Sequence, residues 1–285
     1  MKLPEIPNLD ELITMALRED VGDGDHSTLA CISDTATGKA QMKAKATGIL
    51  CGMEVGERVF RHVNPDIHVT ALKEDGTIVN PSDVVMLVEG PCGSILTAER
   101  TALNFMQRMS GIATQTHYLV QMLKGLHTRL LDTRKTTPNM RLLEKYAVYC
   151  GGGTNHRIGL YDMIMLKDNH IDFAGGIEKA IDCTYEYLKA NGKNLKIEIE
   201  VRNLDELERV LQHGGVDRIM LDNFDVPTLQ QAVQRVQGRY ETEASGGITD
   251  ATLRSYAETG VDFISVGALT HHIKSLDLSL TVLKS

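Results

Sequence analysis

Short apolar runs that stop at a polar or glycine-rich cluster recur six times in the second half of the chain: Arg129–Lys135, Met163–Asp168, Ile197–Arg202, Arg218–Asn223, Glu243–Ile248 and Asp262–Gly267. Helix-patterned segments separate most of them. Alternating strands and helices predict parallel βαβ units. The run ends are spaced by 32–33 residues at first (Lys135, Lys167, Glu200) and by 22–23 later (Asp222, Ser245, Gly267). Six strands fall short of the eight of a closed (β/α) barrel, so the pattern predicts an incomplete or irregular one.

The first half lacks that rhythm. Leu9, Leu12, Ile13, Ala16 and Leu17 form one stripe, predicting an amphipathic helix over Leu9–Glu19. A turn-rich loop, Asp20–Thr28, follows. Strands are expected over Lys39–Leu50, Ile67–Lys73 and Val84–Glu89, and a helix over Gly52–His62. Turns are expected at Asp75-Gly76 and Asn80-Pro81. Thr97 is expected to cap a helix through Met109, with Gly111 ending it. The fold class is therefore α/β: an α+β domain over residues 1–110, then an α/β barrel over 111–269. The tail, about 270–285, is free to pack back on the first domain.

Composition narrows the function. A length of 285 residues supports one large or two modest domains. The net charge of -8 argues against broad nucleic-acid binding, so any anion site is a local basic pocket. No apolar run reaches the roughly 20 residues of a membrane span, and the N-terminus lacks a signal-peptide core. The five cysteines are scattered without a Cys-x-x-Cys pair. They point to a reducing, cytoplasmic setting rather than a disulfide scaffold or zinc ribbon.

The cluster residues suit an anionic substrate, because strand C-termini form the active-site face of such barrels. In Thr133-Arg134-Lys135-Thr-Thr-Pro138 the proline makes the turn rigid. Arg134 can fork onto a carboxylate or phosphate, and Lys135 adds a compact charge; the alternative is a solvated basic turn. Gly151–Gly153 permit close backbone approach beside His156 and Arg157, or simply a loose loop. Lys167 ends an apolar run, as a charge at the barrel mouth, a Schiff-base nucleophile or a lysine snorkelling to the rim. Glu198 and Glu200 alternate with apolar residues, unusual in a parallel strand. Glu200 with Asp222 can hold Mg²⁺ through oxygen ligands, or pair with Lys135 or Lys167. Ser245-Gly246-Gly247 and Ser265-Val266-Gly267-Ala268 close the last two strands, where barrels commonly bind phosphate. Asp20, Asp23, Asp25 and His26 fit a capped loop better than a metal cluster, and His271-His272 reads as a surface pair at a helix start.

These motifs resemble the quinolinate phosphoribosyltransferase family from about Leu9 to Ala268. The most specific segments are Ile95–Thr114, Asp132–Pro138, Gly151–Arg157, Met165–His170, Glu198–Val201, Met220–Asn223 and Ala244–Ile248. The resemblance implies an N-terminal α/β sandwich, an open, irregular α/β barrel, and a homodimer, with higher assembly left open, in which Arg100 enters the neighbour's site. It implies transfer of phosphoribosyl from 5-phosphoribosyl 1-pyrophosphate to quinolinate with Mg²⁺, giving nicotinate mononucleotide, pyrophosphate and CO₂ in NAD biosynthesis. Lys135, Glu200 and Asp222 would be catalytic. Arg100, Thr133, Arg134, His156, Arg157 and Lys167 would face the substrates, with Ser245, Gly246, Gly247, Val266, Gly267 and Ala268 around phosphate. A phosphoribosyltransferase for another aromatic acid, a Schiff-base aldolase using Lys167 and a non-catalytic sensor are the alternatives.

Overall fold

Leu9, Ile13 and Leu17 are the buried stripe of helix α1 (Leu9–Val21), two residues longer than its pattern predicts. The computed structural model describes residues 3–283; the sequence readings at Met1, Lys2, Lys284 and Ser285 lie outside the described residues. The chain divides into two units. The first takes the described residues through His117, Thr136–Gly152 and the described residues from Ala268; the second takes Tyr118–Lys135 and Gly153–Gly267.

The first unit opens with α1, α2 (His26–Cys31), β1 (Thr37–Ala44), β2 (Gly48–Ile49), α3 (Met53–Val63), β3 (His68–Ala71), β4 (Ile78–Val79), β5 (Val84–Pro91) and α4 (Cys92–Met122). The strand expected over Lys39–Leu50 is two. β1 joins the main sheet, while β2 pairs with β4. Gly48 marks the break: a Cβ there would strike the side chains of Leu276 and Thr114.

Helix α4 departs most from expectation. It begins five residues before Thr97 and passes through Gly111 to Met122. Gly111 is a close-approach residue rather than a stop, since a Cβ there would collide with the backbone of Lys274 and Ser275. Thr97 donates instead to Asp25 (3.1 Å), whose carboxylate also accepts from the Thr28 amide (3.1 Å) and hydroxyl (2.6 Å). Asp25 thus caps α2, as the capped-loop reading expects.

Next along the chain come β6 (Arg129–Leu131), in the second unit, and α5 (Arg141–Cys150), in the first. Then follow β7 (Ile164–Leu166), α6 (Asp168–Ala174), α7 (Ile177–Ala190), β8 (Ile197–Val201), α8 (Leu204–His213), β9 (Arg218–Asp222), α9 (Val226–Val236), β10 (Glu241–Ser245), α10 (Asp250–Ala257) and β11 (Phe263–Ser265). Helix α11 (Ala268–His271) and β12 (Leu278–Leu283) return to the first unit. There β12 completes an antiparallel sheet in the order β12-β1-β5-β3. His271 ends α11 rather than starting a helix, because the turn begins directly after Gly267; it and His272 are exposed.

The second unit is a six-stranded parallel sheet in the order β6-β11-β10-β9-β8-β7. Its strands coincide with the six sequence runs. The edge strands β6 and β7 do not pair, so the barrel is open; Thr154 bridges to Leu131 beside the gap. Aligned residues on parallel neighbours share a face. One face is apolar (Ile197, Ile199, Val201, Ile219, Leu221, Ala244, Ile264), as helix cover demands. The other carries Glu198, Glu200, Arg218, Asp222, Glu243 and Phe263.

Candidate active site

The C-terminal strand ends of the open barrel gather most of the residues singled out above. Lys167, just past β7, sends its Nζ to Glu200 Oε2 at 3.1 Å. The ammonium is therefore engaged in an ion pair, whereas imine chemistry requires a neutral amine. Asp222 closes β9 and accepts from the Asn223 side-chain amide (2.6 Å). Ser245 closes β10 ahead of Gly246 (φ 93°) and Gly247 (φ 61°), backbone shapes that L side chains rarely adopt. A Cβ on Gly246 would also strike Asn223. After β11, the Val266 amide donates to the Leu131 carbonyl (3.0 Å), which ties this turn to β6.

Asp132 organises the next two loops. It is fully buried and accepts from the Asn155 side chain (2.6 Å) and the His156 amide (2.9 Å). The glycine loop is thereby pinned to the end of β6. Thr133 turns the chain onward by accepting the Lys135 amide (3.0 Å), and Arg134 and Lys135 are exposed. Arg157 is half-buried and donates to the Met163 carbonyl (3.2 Å). Burial and then the charge of Arg134 lower its pKa. Two guanidiniums thus share one field, which an anion would relieve.

Below them lies a buried charged cluster. His156 Nε2 is 2.9 Å from Glu198 and 3.3 Å from Glu243, and both carboxylates are fully buried. Burial alone would depress the imidazole, but hydrogen bonds and charge from these two glutamates outweigh it and raise its pKa to about 9. The Arg157 amide, aimed at Nδ1 from 2.7 Å, pulls the other way because it needs a lone pair there. The fixed element is the Nε2 proton, which the neutral tautomer and the cation both carry. Burial and the charge of Glu243 push Glu198 up to about 7. Arg218 donates to Glu241 (3.0 Å) and Glu243 (3.2 Å), and its guanidinium lies 4.2 Å from the centre of the Phe263 ring. Arg129 lies 4.5 Å from the same ring.

The alternation marks Glu198, beside Glu200, as an inward carboxylate suited to Mg²⁺ or an ion pair; Asp132, Arg218 and Glu243 have no role in that reading. The signal for Glu243 was present: Glu241 and Glu243 repeat the period-2 placement of Glu198 and Glu200. Of the remaining site candidates, Arg100 is exposed on α4 and Ala268 opens α11, both in the first unit. In that unit Glu144, fully buried, takes Arg108 at 2.6 Å and the Thr137 amide at 3.1 Å. Arg108 also donates to Thr137 Oγ1 (2.8 Å) and the Thr270 carbonyl (3.1 Å). This clamp holds the chain just after Lys135.

Residues 25–110 match the N-terminal domain of quinolinate phosphoribosyl transferase, and residues 112–281 match its C-terminal domain. The chain belongs to this family. It is 42% identical over a 299-residue alignment to the chloroplastic nicotinate-nucleotide pyrophosphorylase [carboxylating] of Arabidopsis thaliana, covering 99% of this chain and 85% of that one. It is 38% identical to a probable nicotinate-nucleotide pyrophosphorylase [carboxylating] of Bacillus subtilis, covering 96% and 93%. The solved nicotinate-nucleotide pyrophosphorylase of Francisella tularensis superposes with a TM-score of 0.92 at 41% identity, covering 99% of both chains. The mixed antiparallel and open-barrel fold is therefore that of the family.

Proposed function

We propose that this protein is a decarboxylating quinolinate phosphoribosyltransferase, joining quinolinate to 5-phosphoribosyl 1-pyrophosphate. The observation that carries this reading is that Arg134 and Arg157 act on each other electrostatically on loops tied to the end of β6, in the same unit whose strand ends carry Glu200 and Asp222. Cations suited to a dicarboxylate and acids suited to a developing positive charge lie at one barrel end.

Arg134 and Arg157 bind the two acid groups of quinolinate, each able to form a forked contact. Lys135 and Lys167 add charge near the pyrophosphate and the acid, with Thr133 shaping the turn. His156 anchors the loop beneath Arg157. Ser245, Gly246, Gly247, Val266, Gly267 and Ala268 offer backbone N–H groups to the ribose 5-phosphate. Arg100, exposed on α4, would serve the site of a neighbouring subunit in a homodimer. Attack by the pyridine nitrogen on the ribose C1 expels pyrophosphate, and Glu200 and Asp222 stabilise positive charge on the ribose ring. The resulting pyridinium accepts the electron pair left as the 2-carboxylate departs as CO₂, and a proton then fills that carbon.

Mg²⁺ fits the oxygen donors of Glu200 and Asp222 as an ion completed by substrate phosphates. No group of three metal ligands among the described residues includes either. When bound, it supplies charge neutralisation to the leaving pyrophosphate. The unpaired cysteines support a cytoplasmic setting, and no helix among the described residues is long and apolar enough to cross a membrane.

The test is to incubate the purified protein with quinolinate, 5-phosphoribosyl 1-pyrophosphate and Mg²⁺. Matching yields of nicotinate mononucleotide and CO₂ are expected. Binding without turnover would favour the sensor reading, and turnover of another aromatic acid alone would favour a paralogous transferase.

A further inference from the structure

The first unit holds a group of reactive side chains of its own. Cys51 follows β2 and is completely buried; Cys150 ends α5 and is 5% exposed. Their two Sγ atoms and a carboxylate oxygen of Asp75 all lie within 4.8 Å of one another. Asp75 is itself buried and occupied. It accepts from the Met53 amide (3.0 Å) and from the Tyr146 hydroxyl (2.9 Å). A metal here would have to displace that phenol, whereas joining the two sulfurs displaces nothing.

We propose that Cys51 and Cys150 are a dithiol pair that peroxide converts to an intrachain disulfide.

The two thiols are not equivalent. Burial and a hydrogen bond to Cys150 push the Cys51 thiol well up, while the hydrogen bond received from Cys51 lowers Cys150. Cys150, the less buried and more thiolate-like, is the attacking sulfur. Its thiolate displaces hydroxide from hydrogen peroxide, giving a sulfenic acid. The Cys51 sulfur then attacks that sulfur, the S–O bond breaks, and the Cys51 proton leaves with the hydroxyl as water. Two thiols and one peroxide become one disulfide and two waters. A small uncharged oxidant suits the burial, which larger disulfide reagents would find hard to penetrate. The bond would close a loop of roughly a hundred residues, restricting the unfolded chain.

The experiment treats the full-length protein with a slight excess of hydrogen peroxide, then blocks free thiols and maps peptides without reduction. A Cys51–Cys150 crosslinked peptide lighter by two hydrogens is expected, returning to two free thiols after reductant. In Cys51→Ser, Cys150 should stop at a sulfenic acid, which a 1,3-diketone probe added together with denaturant captures. In Cys150→Ser, Cys51 should stay reduced. The proposal fails if Cys51 and Cys150 remain thiols while exposed Cys31 and Cys183 are oxidised. It fails equally if the untreated protein retains stoichiometric zinc that Cys51→Ser releases. If either serine variant does not fold, the wild-type peptide map alone decides.

Discussion

Lys167 Nζ sits 3.1 Å from Glu200 Oε2, so the last inward acid of β8 is held by a cation from the end of β7. Lys167 is 45% exposed and Glu200 only 9%. The pair therefore has a wet end and a dry end, and substrate charge arriving from the wet end can compete for the lysine.

That arrangement predicts a kinetic role for Glu200 and, with it, Asp222. Glu200→Gln and Asp222→Asn should each lower kcat by about 10²-fold or more, with unchanged circular dichroism. EDTA should abolish turnover and added Mg²⁺ should restore it. Full activity in both variants would make the carboxylates structural partners only.

The paired guanidiniums predict specificity. Replacing quinolinate by nicotinate removes one carboxylate and leaves a desolvated cation unmatched, at a cost of roughly 2–5 kcal/mol in kcat/KM. Steady-state assays with both acids measure it. Comparable kcat/KM would show that the second carboxylate is not recognised.

A shared site has a distinctive signature. Arg100→Ala and Lys135→Ala should each be inactive alone. After subunit exchange, one site of each mixed dimer carries both lesions and the other carries none. Random mixing should then restore about a quarter of wild-type activity. Exchange confirmed by mass tags, without recovery, would place Arg100 in its own subunit's chemistry or outside the site.

His156 predicts a pH dependence of stability. Its pKa is raised from 6.5 to about 9 in the folded protein. Its contribution is therefore complete below pH 6.5 and lost as pH rises through about 9, at most about 3 kcal/mol. Urea unfolding of the wild type should weaken across that window. His156→Gln should be less stable at pH 6 and show a flatter profile. Parallel profiles would mean that the titrating group lies elsewhere.

The Arg108–Glu144 clamp predicts a local destabilisation. Removing the arginine leaves the fully buried Glu144 carboxylate without its cation, so Arg108→Met should lose about 3–5 kcal/mol in chemical denaturation. The double variant Arg108→Met with Glu144→Leu should recover part of it. If the double loses the sum of both singles, the two residues act independently.

Much of this architecture was legible in the chain. The six strands followed from apolar runs, and their polar ends marked the barrel mouth, because parallel strands are apolar toward their helices and carry chemistry where they stop. Gly111 was not legible: its closeness to Lys274 and Ser275 depends on a return of the chain some 160 residues later. Glu243 escaped for a different reason. The run at Glu243–Ile248 marks β10 by its glycine end, but the strand starts two residues earlier, at Glu241, and only the register puts its acids on the face of Glu198 and Arg218. Arg218 opens its run without any sign of a partner, and only the register places it against Glu198.

The buried cluster of His156, Glu198, Arg218 and Glu243 also bears on how such a chain can change. A hydrophobic core drifts one methyl at a time, because each exchange is small and its neighbours relax. Here each single exchange strands a charge in the dark, so intermediates between this cluster and any other filling are penalised at every step. Sequence drift through these four positions should be blocked or concerted: a lineage either keeps all four or replaces them together.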